Sequence, residues 1–133
     1  MFCDIVAGAV PAFKVYDDPA VVAFLDTRPV FKGHVLVVPR AHVVTLPDLS
    51  PDDLPGYFGF VQRVAGAVPA AMGAQGTFVA VNNIVSQSVP HLHTHVVPRT
   101  KGDGLRGFFW PRHRYDSDQE ATAVAASIAK ELG

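Results

Sequence analysis

The most informative segment of the chain is Pro90-His91-Leu92-His93-Thr94-His95-Val96-Val97-Pro98-Arg99. Three histidines alternate with residues that favour strands, so a buried β-strand is predicted over 91–97, with the second proline ending it. Residues at alternating positions share one face of a strand. The three imidazoles would then lie on one face, roughly 7 Å apart.

Three interpretations of this histidine pattern are open. The imidazoles could alternate by chance on a polar strand face, although placing three of them on a largely buried strand is costly without a use. They could form a metal site, since histidines are common metal ligands. They could also perform covalent catalysis, because an imidazole can attack phosphorus while its neighbours move protons near neutral pH. The residues alone favour metal binding and catalysis equally.

Four further extended segments are predicted, at residues 14–16, 21–25, 33–39 and 77–81. A long helix is expected to begin near Ser50, a good N-cap residue, and to be ended by Pro69 and Gly73. A closing helix follows the capping-box pattern that starts at Ser117 and runs to about Leu132. Strands and helices mix without regular alternation. The pattern therefore predicts an α+β fold with a mainly antiparallel sheet of about five strands, a long helix packed on it and a C-terminal helix.

Length, charge and cysteine content narrow the class of protein. The chain has 133 residues and predicts a single domain, 1–133, with a C-terminal extension from about residue 100. Its formal net charge is -1, so neither nucleic acid nor a membrane surface is expected as a partner. A single cysteine, Cys3, excludes an internal disulfide and fits a reducing compartment. With no apolar run of roughly 20 residues and no basic start typical of a secretory signal, a cytoplasmic protein is predicted.

The segment Gln87-Ser88-Val89-Pro90-His91-Leu92-His93-Thr94-His95 resembles the signature of the histidine triad (HIT) family. Residues 23–29 and 33–42 are similar to another recurring block of that family, and Val81-Asn82-Asn83 resembles its asparagine step. These blocks occur in the family's order over roughly residues 2–99. The resemblance implies a HIT-like fold and a homodimer that acts on nucleoside phosphates without a cofactor.

The resemblance also implies a reaction and a catalytic set. A nucleotidyl group would be transferred or hydrolysed at the α-phosphate of a dinucleoside polyphosphate or a nucleoside phosphoramidate, with a purine nucleoside expected. By resemblance, His93 is the nucleophile that forms a covalent nucleotidyl-histidine, and water then releases the nucleoside monophosphate. His95 and His34 would contact phosphate or assist proton transfer, and His91 would order the strand.

The remaining implied contacts surround the nucleotide. Ser88, Asn82 and Gln87 would lie at the phosphate or the leaving group, and Asp26 would accept bonds from the ribose hydroxyls. Around the base and ribose the resemblance places Phe2, Ile5, Phe24, Leu25 and Thr27. Ordinary structural roles are open for several of these residues: a turn start for Asp26, core packing for Phe24, Leu25 and His34, and a loop position for Asn82.

Two features depart from the family pattern. Several members hold a structural zinc with two N-terminal cysteines and two histidines; here His42 and His91 match the histidines, but only Cys3 remains of the cysteines. No bound metal is therefore predicted. The loop over 82–87 also lacks glycine, and Ser86 stands where glycine is frequent, which affects backbone approach to a phosphate.

The segment after Arg99 lies outside the clear resemblance. It combines basic residues with the aromatic run Phe108-Phe109-Trp110. This combination is consistent with a grip on polyphosphate or with an aromatic plug packed on the core or on a dimer partner. Two further function classes stay open as alternatives: a non-catalytic nucleotide-binding protein, and a metal-binding protein that uses the histidine strand.

Overall fold

A computed structural model describes residues 2–105 and 112–133. The chain divides into two compact units, Met1–Asp103 and Gly104–Gly133. The aromatic run over 108–110, for which two roles were considered, lies outside the described residues.

The first unit is built on a five-stranded sheet, and every neighbouring pair of strands is antiparallel. Its strands are β1 (Lys14–Asp17), β2 (Val21–Leu25), β3 (Val35–Pro39), β4 (Gly76–Val81) and β5 (Thr94–Arg99), in the order β1-β2-β3-β5-β4. Strands β2 and β3 are apolar on both faces because each face of the sheet is covered by a helix. The sheet confirms the predicted α+β class.

The two helices of this unit differ greatly in length. Helix α1 (Phe2–Val6) packs Phe2 and Ile5 on one face of the sheet, while α2 (Leu54–Met72) buries its apolar stripe on the other. Two short 3₁₀ helices, Leu46–Asp48 and Pro51–Asp53, precede α2. The predicted cap Ser50 therefore serves the second 3₁₀ turn, where its hydroxyl accepts from the Asp52 N–H.

Helix α2 continues past Pro69, which was expected to help end it. A proline removes one N–H from the helix, but its carbonyl is still an acceptor. Here the Pro69 carbonyl accepts the N–H groups of Gly73 and Ala74, and Gly73 adopts the left-handed conformation that ends the helix. The termination thus depends on the glycine.

The predicted strand over 91–97 is wrong at both ends, since β5 runs from Thr94 to Arg99. The N–H of Leu92 donates to Val43 in a loop instead of joining the ladder, which keeps His91 and His93 out of the strand. At the other end, β3 pairs with β5 only as far as Val96. Beyond that point one side of β5 needs no ladder donors, so Pro98 is tolerated.

The second unit contains α3 (Asp118–Leu132). Its predicted start is confirmed, because the Ser117 hydroxyl accepts from the Glu120 N–H and the Glu120 carboxylate accepts from the Asp116 N–H. Among the described helices, none has the length and apolar character needed to cross a membrane.

Candidate active site

A cavity of about 330 Å³ opens between α1, the end of β2 and the start of β5. Nine residues expected at a nucleotide or in catalysis line it: Phe2, Ile5, Phe24, Leu25, Asp26, Thr27, Ser88, His93 and His95. Four other expected residues, His34, His91, Asn82 and Gln87, are not among its lining residues. The volume is at the small end of the range for small-molecule sites.

The apolar wall of the cavity is carried by α1. The Phe2 ring stands edge-on to Phe24, with centroids 5.6 Å apart, and edge-on to His93, at 4.9 Å. Phe2 and Ile5 are only 5% and 7% exposed, so both are partly core and partly cavity wall. Such flat apolar walls can hold a planar base.

The side chain of His93 is held in one tautomer by the backbone. Its Nδ1 lies 2.7 Å from the His91 carbonyl oxygen. A carbonyl only accepts, so Nδ1 carries the hydrogen and Nε2 keeps its lone pair. His93 lines the cavity, and in its neutral ring Nε2 is the nitrogen with the lone pair that a nucleophile needs.

A chain of hydrogen bonds sets the tautomers of His34 and His95 in the same way. The Val30 N–H donates to His34 Nδ1 at 3.1 Å, and His34 Nε2 lies 3.0 Å from His95 Nδ1. Since His34 Nδ1 accepts, its Nε2–H donates to His95, and the hydrogen of His95 must then be on Nε2. His95 thus offers an N–H donor at the cavity.

Burial keeps both imidazoles of this chain neutral. It lowers the pKa of His34, although the Asp26 carboxylate, 3.8 Å from Nδ1, opposes the effect. For His95, burial and then the neighbouring His93 and His34 lower the pKa to about 4. Neutral imidazoles at pH 7 are consistent with the donor and acceptor roles assigned above.

His34 stands behind His95 and is 3% exposed, so its contact is with His95 and not with the cavity. It follows Gly33, whose φ of +97° favours glycine, and a Cβ added at Gly33 would lie 2.6 Å from Met72 Cγ. This turn therefore fixes where β3 begins and where the His34 ring enters the sheet. His34 is placed to act as a positioning residue for His95.

His91 faces a different set of partners. Its Nε2–H donates to the Pro39 carbonyl at 3.0 Å, which leaves the lone pair of Nδ1 3.4 Å from Cys3 Sγ. Cys3 Sγ also lies 3.2 Å from His42 Nδ1. We refer to Cys3, His42 and His91 as the Cys3 cluster.

The Cys3 cluster has the donor set that zinc prefers. One thiol sulfur and two imidazole nitrogens lie within 4.8 Å of one another. The bond from His91 to the Pro39 carbonyl is the kind of outer contact that orients a metal-bound histidine. A second group of possible ligands, Asp26, His34 and His95, is less suitable because both His34 nitrogens are already used.

The loop over 82–88 is braced by its own polar side chains. Gln87 accepts from the Ile84 N–H and donates to the Val44 carbonyl, while Asn83 accepts from the Leu46 N–H. Ile84 and Ser86 both have left-handed φ values, of 70° and 62°. These are costly conformations for residues with a Cβ, and they show that the backbone at Ser86 has the geometry that glycine favours.

Sequence reasoning missed five residues that line the cavity: Pro11, Ala12, Arg28, Leu36 and Val89. Arg28 is the only lysine or arginine among the described lining residues. Its backbone N–H donates to an Asp26 carboxylate oxygen at 2.9 Å, which closes a turn at the end of β2. That turn was recognisable as an alternative role for Asp26, and it would have placed Arg28 beside it.

Residues 7–102 match the family model described as the HIT domain. A HIT-like protein of Mycobacterium tuberculosis is 40% identical over 92% of this chain and 86% of its own length. The adenosine 5′-monophosphoramidase of Schizosaccharomyces pombe is 31% identical over 99% of this chain and 97% of its own. The adenylylsulfatase of Arabidopsis thaliana is 30% identical over 99% of this chain and 68% of its own length.

Solved structures agree with this similarity. A HIT family protein from Bacillus subtilis superposes with a TM-score of 0.90, at 36% identity, and covers 100% of this chain and 96% of that one. A zinc-bound histidine triad family protein from Mycobacterium smegmatis gives a TM-score of 0.74 at 37% identity, covering 97% and 92%.

Proposed function

The chain belongs to the HIT family, and we propose that it is a nucleotidyl hydrolase or transferase that works through a covalent intermediate on His93. Membership of this family supports nucleotide hydrolase activity, because two relatives are named as an adenosine 5′-monophosphoramidase and an adenylylsulfatase. The observation that carries the finer proposal is the bond from His93 Nδ1 to the His91 carbonyl. In the neutral ring this bond leaves the lone pair on Nε2, at a residue that lines a nucleotide-sized cavity.

The cavity offers a place for each part of a nucleotide. A purine base fits against the apolar wall of Phe2 and Ile5, and the Asp26 carboxylate accepts the ribose hydroxyls. The phosphate then lies at His93, with the His95 Nε2–H and the Ser88 hydroxyl as donors to its oxygens.

The reaction proceeds in two steps, formation and hydrolysis of the intermediate on His93. His93 Nε2 attacks the α-phosphorus, an N–P bond forms, and the bond from phosphorus to the leaving group breaks. A sulfate or phosphate departs as the anion, whereas an amine takes a proton from water through the Ser88 hydroxyl. Water then attacks the phosphorus and loses a proton to solvent, and cleavage of the N–P bond returns neutral His93 and a nucleoside monophosphate. The His91 carbonyl stabilises the positive charge that His93 carries in between.

Rapid quench with nucleoside-labelled substrate tests this proposal. Mass spectrometry under alkaline conditions, which preserve phosphohistidine, should find the label on His93. Label on His91 or His95 alone would show that His93 is not the nucleophile. A burst of product without any adduct would exclude the two-step route.

We propose that small leaving groups are preferred over long polyphosphates. A polyphosphate needs several cations, but Arg28 is the only lysine or arginine among the described lining residues. We therefore expect nucleoside phosphoramidates and adenylyl sulfate to be turned over faster than dinucleoside polyphosphates. A screen of both classes with adenosine and guanosine at equal concentration measures this preference, and faster turnover of the dinucleotides would reverse it.

A homodimer is part of the proposal. Large apolar side chains are exposed around an apolar groove of the first unit, with Val15 at 55%, Leu25 at 37% and Met72 at 46%. Exposed apolar patches of this kind are typical of protein interfaces. Light scattering at micromolar concentration should give twice the chain mass of 14.2 kDa, and a mass of one chain would contradict the dimer.

A further inference from the structure

The Cys3 cluster joins three segments that are distant in the sequence. Cys3 lies on α1, His42 follows β3, and His91 precedes β5; the cysteine is 39 positions from the first histidine and 88 from the second. A metal ion bound by all three residues would therefore connect α1 to the loop after β3 and the loop before β5. The prediction of no bound metal was made from the number of cysteines, whereas the geometry already brings three suitable donors together.

The first connection from this cluster to the cavity is α1 itself. Cys3 stands between Phe2 and Ile5, the two residues of α1 that form the cavity wall. A helix of five residues is too short to be stable by itself, so its position depends on its anchors. One described anchor is Arg40, which donates to the Val6 carbonyl at 2.9 Å at the end of the helix. A metal on Cys3 would add an anchor near its beginning.

The second connection runs through His91. Its ring belongs to the Cys3 cluster, while its carbonyl oxygen accepts from His93 Nδ1 at 2.7 Å. Holding the His91 ring between Cys3 and the Pro39 carbonyl therefore also restrains the group that fixes the tautomer of His93. The same residue thus belongs to both sites.

We propose that a zinc ion bound by Cys3, His42 and His91 is thermodynamically coupled to nucleotide binding in the adjacent cavity. Cys3 binds as the thiolate and releases its proton, and the two imidazoles bind through Nδ1. The ion fixes the Phe2–Ile5 wall before the nucleotide arrives, so the nucleotide loses less binding energy to ordering that wall. Because coupling is reciprocal, the nucleotide raises zinc affinity by the same factor. The proposal rests on the nucleotide site proposed above.

The test measures zinc affinity and nucleotide affinity in one cycle. Zinc affinity of the full chain is determined by competition with a chromophoric chelator, with and without saturating AMP or GMP. We expect zinc to bind about fivefold or more tightly with nucleotide, and nucleotide to bind more tightly to the zinc-loaded protein by an equal factor. Zinc affinity that nucleotide does not change, or no zinc binding at micromolar concentration, would overturn the coupling.

Two histidine variants provide the matched comparison. His42 is exposed and is not among the cavity-lining residues, so His42→Ala should weaken zinc binding while nucleotide affinity without metal stays unchanged. His113, another exposed histidine, belongs to the second unit, and His113→Ala should leave zinc affinity, nucleotide affinity and their coupling as in the parent. Unchanged coupling in His42→Ala would exclude this cluster as its source.

Hydrogen exchange separates failure of this inference from failure of the proposed function. Zinc alone should slow amide exchange in α1 of the parent, and it should not do so in His42→Ala. If the metal protects α1 but no nucleotide binds in either state, the proposed nucleotide site is wrong and the coupling falls with it. If nucleotide binds but zinc leaves α1 exchange unchanged, only the coupling is overturned.

Discussion

His91 and His93 are two residues apart, yet their side chains belong to two different, adjacent sites. His91 donates from Nε2 to the Pro39 carbonyl and turns Nδ1 to the Cys3 cluster. His93 donates from Nδ1 to the His91 carbonyl and keeps Nε2 for the cavity. In both cases one backbone carbonyl selects the tautomer, and the tautomer selects which nitrogen is available for chemistry. Similar side chains thus acquire different roles from their hydrogen-bond partners.

Removing the proposed nucleophile is the most severe test of the contrast between His91 and His93. His93→Ala should lower turnover by more than about 10⁴-fold, which exceeds the loss typical of a general acid or base. Nucleotide binding should survive because Asp26 and the apolar wall remain. Steady-state rates and equilibrium binding of AMP measure the two effects. A loss below about 10²-fold would show that His93 is not the nucleophile.

Changing His34 tests whether tautomer control extends to His95. His34→Leu cannot donate to His95 Nδ1, so kcat should fall by about 10²-fold, the order expected for a lost oxyanion donor, with KM nearly constant. His34→Gln retains an N–H donor and should recover most of this loss. Equal rates in the two variants would mean that His34 contributes packing alone.

Asp26→Ala should affect binding far more than the chemical step. A carboxylate that holds ribose hydroxyls acts in the ground state and the transition state alike, so KM should rise by about tenfold or more while kcat changes little. Asp26 also lies 3.8 Å from His34 Nδ1. A large fall in kcat at constant KM would therefore show that Asp26 acts through the His34–His95 chain.

The neutral state of His95 has a consequence for stability. Its pKa is about 4 in the folded protein and near 6.5 in an exposed chain, so between these values the unfolded chain binds more protons. The contribution of His95 to the free energy of unfolding should therefore be complete above pH 6.5 and should decrease as the pH falls toward 4. Denaturant titrations of His95→Asn should show a smaller fall than the parent, and His113→Asn, which changes an exposed histidine, should show the same fall. If the free energy of unfolding depends on pH identically in all three proteins, the proton is not taken up by His95.

The smallest effect on the reaction is expected from a change in the Cys3 cluster. His42→Ala, which leaves every cavity residue in place, should change kcat of the metal-free enzyme by less than about threefold, because the local bond from His93 to the His91 carbonyl does not involve His42. Steady-state kinetics in the presence of a chelator measure this. A loss as large as that of His34→Leu would show that His42 acts directly on the reaction.

The sequence predicted the strands and long helix better than it predicted the directions of the histidines. Apolar runs such as Val21–Leu25 report burial directly, so β2 and β3 were placed nearly as found. The alternation from His91 to His95 equally fits a strand, but Leu92 bonds to Val43, a contact 49 positions away that no local pattern reports. Gln87 was expected at the nucleotide from the family resemblance, and its bond to the Val44 carbonyl is visible only in the folded chain.

The neutral donors of the cavity bear on how products leave. His95 is uncharged near pH 7 and Arg28 is the only lysine or arginine in the described lining, so these residues offer the proposed product, a nucleoside monophosphate dianion, little fixed positive charge. Long-range electrostatic attraction is correspondingly small, and ionic strength should hardly change how tightly the dianion is retained. We expect product release to be fast and inhibition by abundant nucleoside monophosphates to be weak.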